Sequence, residues 1–337
     1  MNRLKDSFQR TIDYMRISIT DRCNLRCIYC MPSGGLVPIK HKEILRYEEI
    51  IRVVKVAVKA GVTKIRITGG EPLIRKNVTH LLRSIKNIDG IRELSLTTNG
   101  VFLEQYAEEL AEAGLDRVNI SLDSLRPDRY RKITRGGDIN AVLRGIESAE
   151  KAGLLPIKIN MVPIRGLNDD EIEEFARMTL KYSYQVRFIE LMPFGKQGMW
   201  RPEKFISAEE IRCIVEKIGP LAPVELKKSG PARYVRFDTA VGVLGFISPL
   251  SNHFCGECNR LRLTADGKLR PCLFSETEID LKPALRSDTT DHEIERLLKL
   301  SIEVKPKGHN LGRPNAELKT LMDAKQGYFR PMSKIGG

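Results

Sequence analysis

Three thiols fall within eight residues, Cys23-Asn24-Leu25-Arg26-Cys27-Ile28-Tyr29-Cys30, directly after the apolar run Met15 to Thr20. That spacing wraps three thiolates around one metal centre. A structural zinc site closes with four protein ligands, and an electron-transfer 4Fe-4S cluster has four cysteines. The next cysteine along the chain is Cys213. A 4Fe-4S cluster on Cys23, Cys27 and Cys30 therefore keeps one iron free of protein, open to a reactant. A lone C-x-x-C redox pair or a zinc knuckle is the plainer alternative.

The 337 residues suffice for one large or two unequal domains. No run of about 18 apolar residues is present, so no membrane span is expected. The segment Met1-Asn2-Arg3-Leu4-Lys5-Asp6 has no apolar core or cleavage signal, which argues for a cytoplasmic protein. In that compartment the seven cysteines read as metal ligands rather than disulfides. The net charge of +13 attracts nucleic acid, anionic membrane or phosphorylated metabolites. Most of the excess sits on helix faces mixed with Glu, so the informative arginines are those inside strands.

From Tyr14 to about Leu191 short β-branched runs alternate with amphipathic ones. The expected strands are Met15 to Thr20, Lys64 to Thr68, Glu93 to Thr97, Arg117 to Ser121, Ile157 to Val162 and Gln185 to Leu191. Helical spacing marks Tyr47 to Ala60, Val78 to Ile88, Gln105 to Ala113, Ala141 to Ala152 and Asp169 to Tyr182. Repeated βα units predict parallel strands with right-handed crossovers. One strand face is polar: Arg16, Ser18, Thr20; Lys64, Arg66, Thr68; Ser95, Thr97, Asn99; Asn119, Ser121; Lys158, Asn160. A closed eight-stranded barrel packs that face with Val, Ile and Leu. Burying a polar face dry is costly, so these residues line a hydrated, cationic cavity. The expected fold is α/β, an incomplete (βα)6 TIM-like barrel of parallel strands. Solvent or sheet-edge faces are the alternative.

Gly69-Gly70-Glu71-Pro72 follows the second strand, where two glycines allow a close approach and the carboxylate is placed to hold a cation. After Leu191 the rhythm changes. Ser207 reads as the N-cap of a helix to Ile218, and Gly219 to Arg233 is rich in Pro, Gly and Lys. The domain boundary is placed there, giving domains 1–225 and 226–337. Cys213 reads as a buried, inert thiol. The second half carries Cys255-Gly256-Glu257-Cys258 and then Cys272, again three cysteines. With His253 they also suit a zinc site of three thiolates and one imidazole. Against zinc stand Arg260 and Arg262 on one face of the next strand, with Ala265-Asp266-Gly267-Lys268 as a hairpin turn. The chain ends Ile335-Gly336-Gly337.

C-x-x-x-C-x-x-C with an aromatic before the last cysteine resembles the radical S-adenosylmethionine superfamily. Within it, Thr20-Asp21-Arg22-Cys23-Asn24, Tyr29-Cys30-Met31-Pro32, the second cysteine trio and the terminal glycines resemble the GTP 3',8-cyclase family of molybdenum-cofactor biosynthesis. Arg66 to Pro72, Leu96 to Gly100, Asn119 to Asp123 and Arg187 to Glu190 carry the likeness along the whole chain. Ser33 to Val37 departs from it.

The resemblance implies two 4Fe-4S clusters, on Cys23, Cys27, Cys30 and on Cys255, Cys258, Cys272, the second in a C-terminal α+β domain that closes the barrel. It implies S-adenosylmethionine held by Tyr29, Gly70, Ser121 and Met192. GTP would be held by Arg16, Lys64, Arg66, Thr97, Lys158, Arg187, Arg260 and Arg262. Gly336 and Gly337 would reach into the active site and assist cyclisation. The implied activity is a lyase reaction, GTP to (8S)-3',8-cyclo-7,8-dihydroguanosine 5'-triphosphate, the first step of molybdopterin synthesis. It needs an external one-electron donor and neither nucleic acid nor membrane, and a homodimer stays open. The rivals are a radical enzyme acting on RNA or peptide and a zinc nucleic-acid module, the latter without the aromatic residues that such a surface interleaves.

Overall fold

The computed structural model describes residues 4–194, 200–226, 230–309 and 330–336. Six βα units occur where the alternation put them. The strands are β1 (Tyr14–Ser18), β2 (Lys64–Thr68), β3 (Glu93–Thr98), β4 (Arg117–Ser121), β5 (Lys158–Met161) and β6 (Gln185–Ile189). Their crossover helices are α1 (Tyr47–Lys59), α2 (Val78–Lys86), α3 (Leu103–Glu112), α4 (Pro127–Thr134), α5 (Ile139–Lys151) and α6 (Ile172–Lys181). One strand face carries Met15, Ile17, Ile65, Ile67, Leu94, Leu96, Val118, Ile120, Ile159, Met161, Val186 and Phe188, all buried in one core. Burying each such side chain contributes about 1.5–3 kcal/mol, enough to hold the helices on that side.

Helix α4 has no counterpart in the sequence reading. Its segment Pro127-Asp128-Arg129-Tyr130-Arg131-Lys132-Ile133-Thr134 offers mainly Tyr130 and Ile133 as an apolar stripe, and both are buried. Pro127 at its first turn is the start signal that the charge-rich composition hid.

The second half adds strands to both ends of the same sheet. β9 (Val243–Ile247) pairs in parallel with β6, and β10 (Arg260–Leu263) pairs in parallel with β1. Eight parallel strands therefore run in the order β10-β1-β2-β3-β4-β5-β6-β9. No pairing among the described residues joins β9 to β10, so the barrel is open there. Residues 248–259 carry the chain from β9 to β10, and Cys255 and Cys258 lie on that connection. Antiparallel strands finish the edges: β8 (Arg233–Phe237) and β7 (Leu221–Val224) beyond β9, β11 (Lys268–Arg270) and β12 (Ile279–Asp280) beyond β10. The Arg260 hairpin forms as expected, with Arg262 opposite Arg270. Strand β7 lies in the stretch whose prolines suggested a linker. As the edge strand it tolerates Pro223, which has no N–H to offer a further neighbour.

Ser207 caps its helix as expected, accepting from the Glu210 N–H in a capping box. Cys213 lies on that helix but is exposed, so the expectation of a buried thiol is corrected: the helix buries Ile211 and Val215 instead. Among the described residues no helix is long and apolar enough to cross a membrane.

Candidate active site

The first cysteine loop is pinned from below. The N–H groups of Arg26 and Ile28 donate to the carbonyls of Thr134 and Ile133 at the end of α4, at 3.0 and 2.9 Å. Arg135 donates to the carbonyls of Arg26 (3.0 Å) and Met31 (2.8 Å). A helix that the sequence reading omitted thus sets the shape of the thiol loop.

Beside it, Gly70 touches backbone with backbone. A Cβ there would lie 2.1 Å from the Arg22 carbonyl oxygen, so no other residue fits without moving the loop. The Gly70 and Glu71 N–H groups donate to the Thr20 and Arg22 carbonyls, both at 2.7 Å. Glu71 was expected to hold a cation. Its carboxylate instead accepts from Leu73 N–H (3.0 Å), Thr98 Oγ1 (2.8 Å) and Asn99 N–H (2.7 Å), bracing the ends of β2 and β3. Burial nevertheless raises its pKa to about 7.

Inside the sheet lies a cavity with about 1300 Å³ of empty space, open mouth included. Tyr29, Arg16, Lys64, Arg66, Thr97, Ser121, Lys158, Arg187 and Met192 all line it. So do four residues that the site reading missed: Tyr14, Glu93, Arg117 and Asp123. Glu93 and Arg117 stand two residues before Ser95 and Asn119 on the same polar face, so the period of two was the signal available for them. They form an ion pair with each other, which removes one positive charge from the wall.

The remaining cations are poorly neutralised by protein. Lys64 meets Asp13 at 3.1 Å, and Arg187 donates to Asn119 Oδ1 at 2.7 Å. Among the described residues the buried Nε atoms of Arg16, Arg117, Arg187, Arg260 and Arg262 have no hydrogen-bond partner. Burial and repulsion from neighbouring arginines lower Arg66 and Arg262 to about 9 and Arg260 to about 10. Burial, with Arg187, Arg117 and Arg66 nearby, pushes Lys158 down to about 6. A group of buried, under-partnered guanidiniums is a site built for a multiply charged anion.

Asp123 accepts the Tyr29 hydroxyl at 2.5 Å and the Val162 N–H at 2.9 Å. This locks the aromatic ring between Cys27 and Cys30 against the end of β4.

A smaller cavity adjoins the first, sharing Arg16, Met192 and Met332 with it, and is lined by Cys255, Cys258, Cys272, Arg260 and Arg262. Its cysteine connection is tied down from a distance. Arg10 donates to the carbonyls of Cys255 (2.6 Å), Pro306 (2.7 Å) and Lys307 (2.9 Å), while its Nε pairs with Asp6. Lys305, 3% exposed, donates to the carbonyls of Arg260 and Pro271. Despite burial, Lys305 and Arg260 bring Cys258 down to about 7, favouring the thiolate.

Gly336 is buried against the ends of β1 and β2, with φ +80°. A Cβ there would meet Thr68 Oγ1 at 2.5 Å and Ser18 Cβ at 2.8 Å. Gly336 therefore packs against the strand ends that lead into the first cysteine loop and Gly69-Gly70. Gly337 lies outside the described residues. Cys23, Cys27, Cys30, Gly70 and Gly336 do not line the main cavity but frame its mouth.

Residues 17–179 match the family model of the radical SAM superfamily, and residues 184–311 match that named Molybdenum Cofactor Synthesis C. A curated GTP 3',8-cyclase of Thermodesulfovibrio yellowstonii is 53% identical over 336 residues, covering 99% of this chain and 100% of its own. That of Alkaliphilus oremlandii is 50% identical over 334 residues, with the same coverage. The chain belongs to the GTP 3',8-cyclase family. Among solved structures, Streptococcus suis SuiB bound to S-adenosylmethionine shares the fold, with TM-score 0.63 at 14% identity over 96% of this chain and 77% of that one.

The donor sets suit the iron-sulfur clusters of this cyclase family better than zinc. Among the described residues no three His, Cys, Asp or Glu side chains close on a single ion. Thiols spaced for separate irons of one cluster need not do so. Burial, then Cys23 and Asp123 nearby, raise Cys30 to about 12, and burial raises Cys27 well above its usual value. Such a trio ionises together only around a strongly cationic centre.

Proposed function

We propose that this chain converts GTP to (8S)-3',8-cyclo-7,8-dihydroguanosine 5'-triphosphate, using two 4Fe-4S clusters and S-adenosylmethionine. The observation that carries the reading is a cationic cavity lined by Tyr29 of the first cysteine loop and adjoined by a smaller one lined by the second trio, in a chain half-identical to curated GTP 3',8-cyclases over its whole length. In this reading Cys23, Cys27 and Cys30 hold the first cluster, and Cys255, Cys258 and Cys272 hold the second. Reduced in the presence of S-adenosylmethionine, the first cluster supplies the radical chemistry that removes hydrogen from ribose C3' and lets that carbon join guanine C8.

The protein's own part is grip and exclusion. Arg16, Lys64, Arg66, Thr97, Lys158, Arg187, Arg260 and Arg262 hold the nucleotide, their planar forks pairing with phosphate oxygens. Arg117, paired with Glu93, is an added contact in this set. Tyr29, Gly70, Ser121 and Met192 hold S-adenosylmethionine at the mouth, with Tyr29 oriented by Asp123. Gly336 and Gly337 assist the cyclisation in this reading. Substrate held in fixed geometry gains most of the rate available to orientation. An external one-electron donor, a cytoplasmic setting and a functional division near residue 225 complete the reading, supported by seven unpaired cysteines and the separate cavity of the second trio.

Lys158 gives the binding step a pH signature. Held near 6 in the empty cavity, it is mostly neutral at pH 8, and a triphosphate restores its charge. GTP binding at pH 8 is therefore expected to take up a proton, and affinity to fall as pH rises. Calorimetry in buffers of different ionisation enthalpy measures that uptake. The Lys158→Met protein should lose it, and equal uptake in both proteins would remove the assignment.

The function itself is tested by anaerobic incubation of the reconstituted protein with GTP, S-adenosylmethionine and dithionite. The 3',8-cyclised nucleotide is the expected product. Turnover on RNA or peptide with GTP inert would overturn the reading.

A further inference from the structure

A third cavity, separate from the main one, is lined by residues that directly precede the first cysteine loop. Its empty space is about 1770 Å³, open mouth included, and it shares no lining residue with the main cavity. Ile19, Thr20 and Arg22 form one wall, and the chain passes from that wall directly into Cys23. Arg22, Lys42, Arg46, Arg75, Lys76 and Arg286 all line the groove, and no Asp or Glu does.

Some of these charges are structural. Arg75 donates to the carbonyls of Ile19 and Leu45 and lies 4.2 Å from the Tyr47 ring centroid, making the floor. Arg46 and Arg286 share one buried carboxylate, Glu49, at 3.3 and 2.8 Å. Arg22, Lys42 and Lys76 are exposed and make no ion pair among the described residues. The groove keeps an outward positive field for which the fold has no use.

We propose that this groove is the docking surface for an acidic protein that delivers single electrons to the cluster on the Cys23 loop. The proposal rests on the functional reading above and names the partner's chemistry and seat. Substrate and cosubstrate occupy the inner cavity, so the electron has to arrive from outside. The groove wall, Ile19, Thr20 and Arg22, is followed in sequence by Cys23, a cluster ligand in that reading. Complementary charge would steer and orient the donor there. A macromolecule suits the groove better than a small anion, because its unpaired cations, Arg22, Lys42 and Lys76, are all exposed. In each encounter one electron leaves the donor and reduces the cluster by one equivalent.

The test compares the reconstituted protein with its Lys42→Glu/Lys76→Glu variant. Neither lysine touches a cysteine or the inner cavity. The probe is a flavodoxin with a strongly acidic surface, and its affinity is measured calorimetrically at low and high salt. The expected result is at least a ten-fold weaker Kd at low salt and a shallower salt dependence. Iron content, GTP affinity and cluster reduction by a small photochemical reductant should be unchanged. The Lys42→Arg/Lys76→Arg variant should bind as the parent does. Equal flavodoxin affinity in the parent and the Glu variant overturns the proposal. So does loss of oligonucleotide binding in the Glu variant with flavodoxin affinity retained, because that outcome makes the groove a nucleic-acid surface. A parent protein lacking iron on the first trio would show failure of the functional reading, and the affinity comparison still decides the docking surface.

Discussion

Replacing Arg66 by alanine is expected to weaken GTP binding by roughly 30- to 5000-fold while both clusters stay in place. Arg66 stands in the middle of the polar face, paired across the sheet with Arg16 on one side and Ser95 on the other. It donates to Ser95 Oγ at 3.3 Å and has its guanidinium 5.5 Å from the Tyr14 ring centroid. No carboxylate neutralises it among the described residues, so a bound triphosphate is its natural counter-charge. Truncating one partner of a desolvated, hydrogen-bonded charge pair costs on the order of 2–5 kcal/mol, which sets that range. Arg260→Ala, 7% exposed and with its Nε unpartnered, should behave alike. Arg66→Lys keeps the charge but loses the fork and should fall between. Equilibrium binding of GTP to the anaerobic proteins measures this, and unchanged affinity in the alanine variants would take both residues out of the site.

The second large effect is expected at the tail. Gly336→Val should lower turnover by at least about 100-fold with iron content and GTP affinity near those of the parent. Two independent costs meet at this position. The backbone holds φ +80°, which a β-branched residue rarely adopts, and the new Cβ would overlap Thr68 Oγ1 and Ser18 Cβ. The tail has to leave its seat to relieve both, and misplacement by about 1 Å near the chemistry costs on the order of 10²-fold. Removing the obstacle supplies a control: Gly336→Ala combined with Thr68→Ala should recover part of the activity lost by Gly336→Ala alone. Full activity in Gly336→Val would show that the tail's seat between β1 and β2 has no part in turnover.

How legible the molecule was depends on which physical signal each part sends. The six βα units were readable because strand and helix periods alternate without interruption, and Arg16, Lys64, Arg66, Thr97, Ser121 and Lys158 followed from one polar face. The same alternation reached Glu93 and Arg117, but they open their strands, where a period of two is hardest to tell from loop. Helix α4 stayed hidden because six of its eight residues are polar or proline. Long-range pairing was out of reach altogether. Nothing local in Val243–Ile247 or Arg260–Leu263 says that they join β6 and β1 in parallel, since that choice is made by the two open edges of the sheet. For the same reason nothing local marks Arg10 and Lys305, which bond the carbonyls of Cys255 and Arg260 from 245 and 45 residues away in sequence. Glu71 shows the same limit: a carboxylate after two glycines suggests a ligand, and sequence could not show that it also accepts from the Leu73 and Asn99 N–H groups and the Thr98 hydroxyl.

The central claim is that two cysteine trios, each one thiol short of a closed cluster, each hold a 4Fe-4S cluster. Iron and acid-labile sulfide counted in anaerobically reconstituted protein test it most directly. The account predicts about eight irons per chain, and about four in either Cys23→Ala/Cys27→Ala/Cys30→Ala or Cys255→Ala/Cys258→Ala/Cys272→Ala. Zinc in place of iron at the second trio, or about four irons in the parent with no loss on removing one trio, would contradict it.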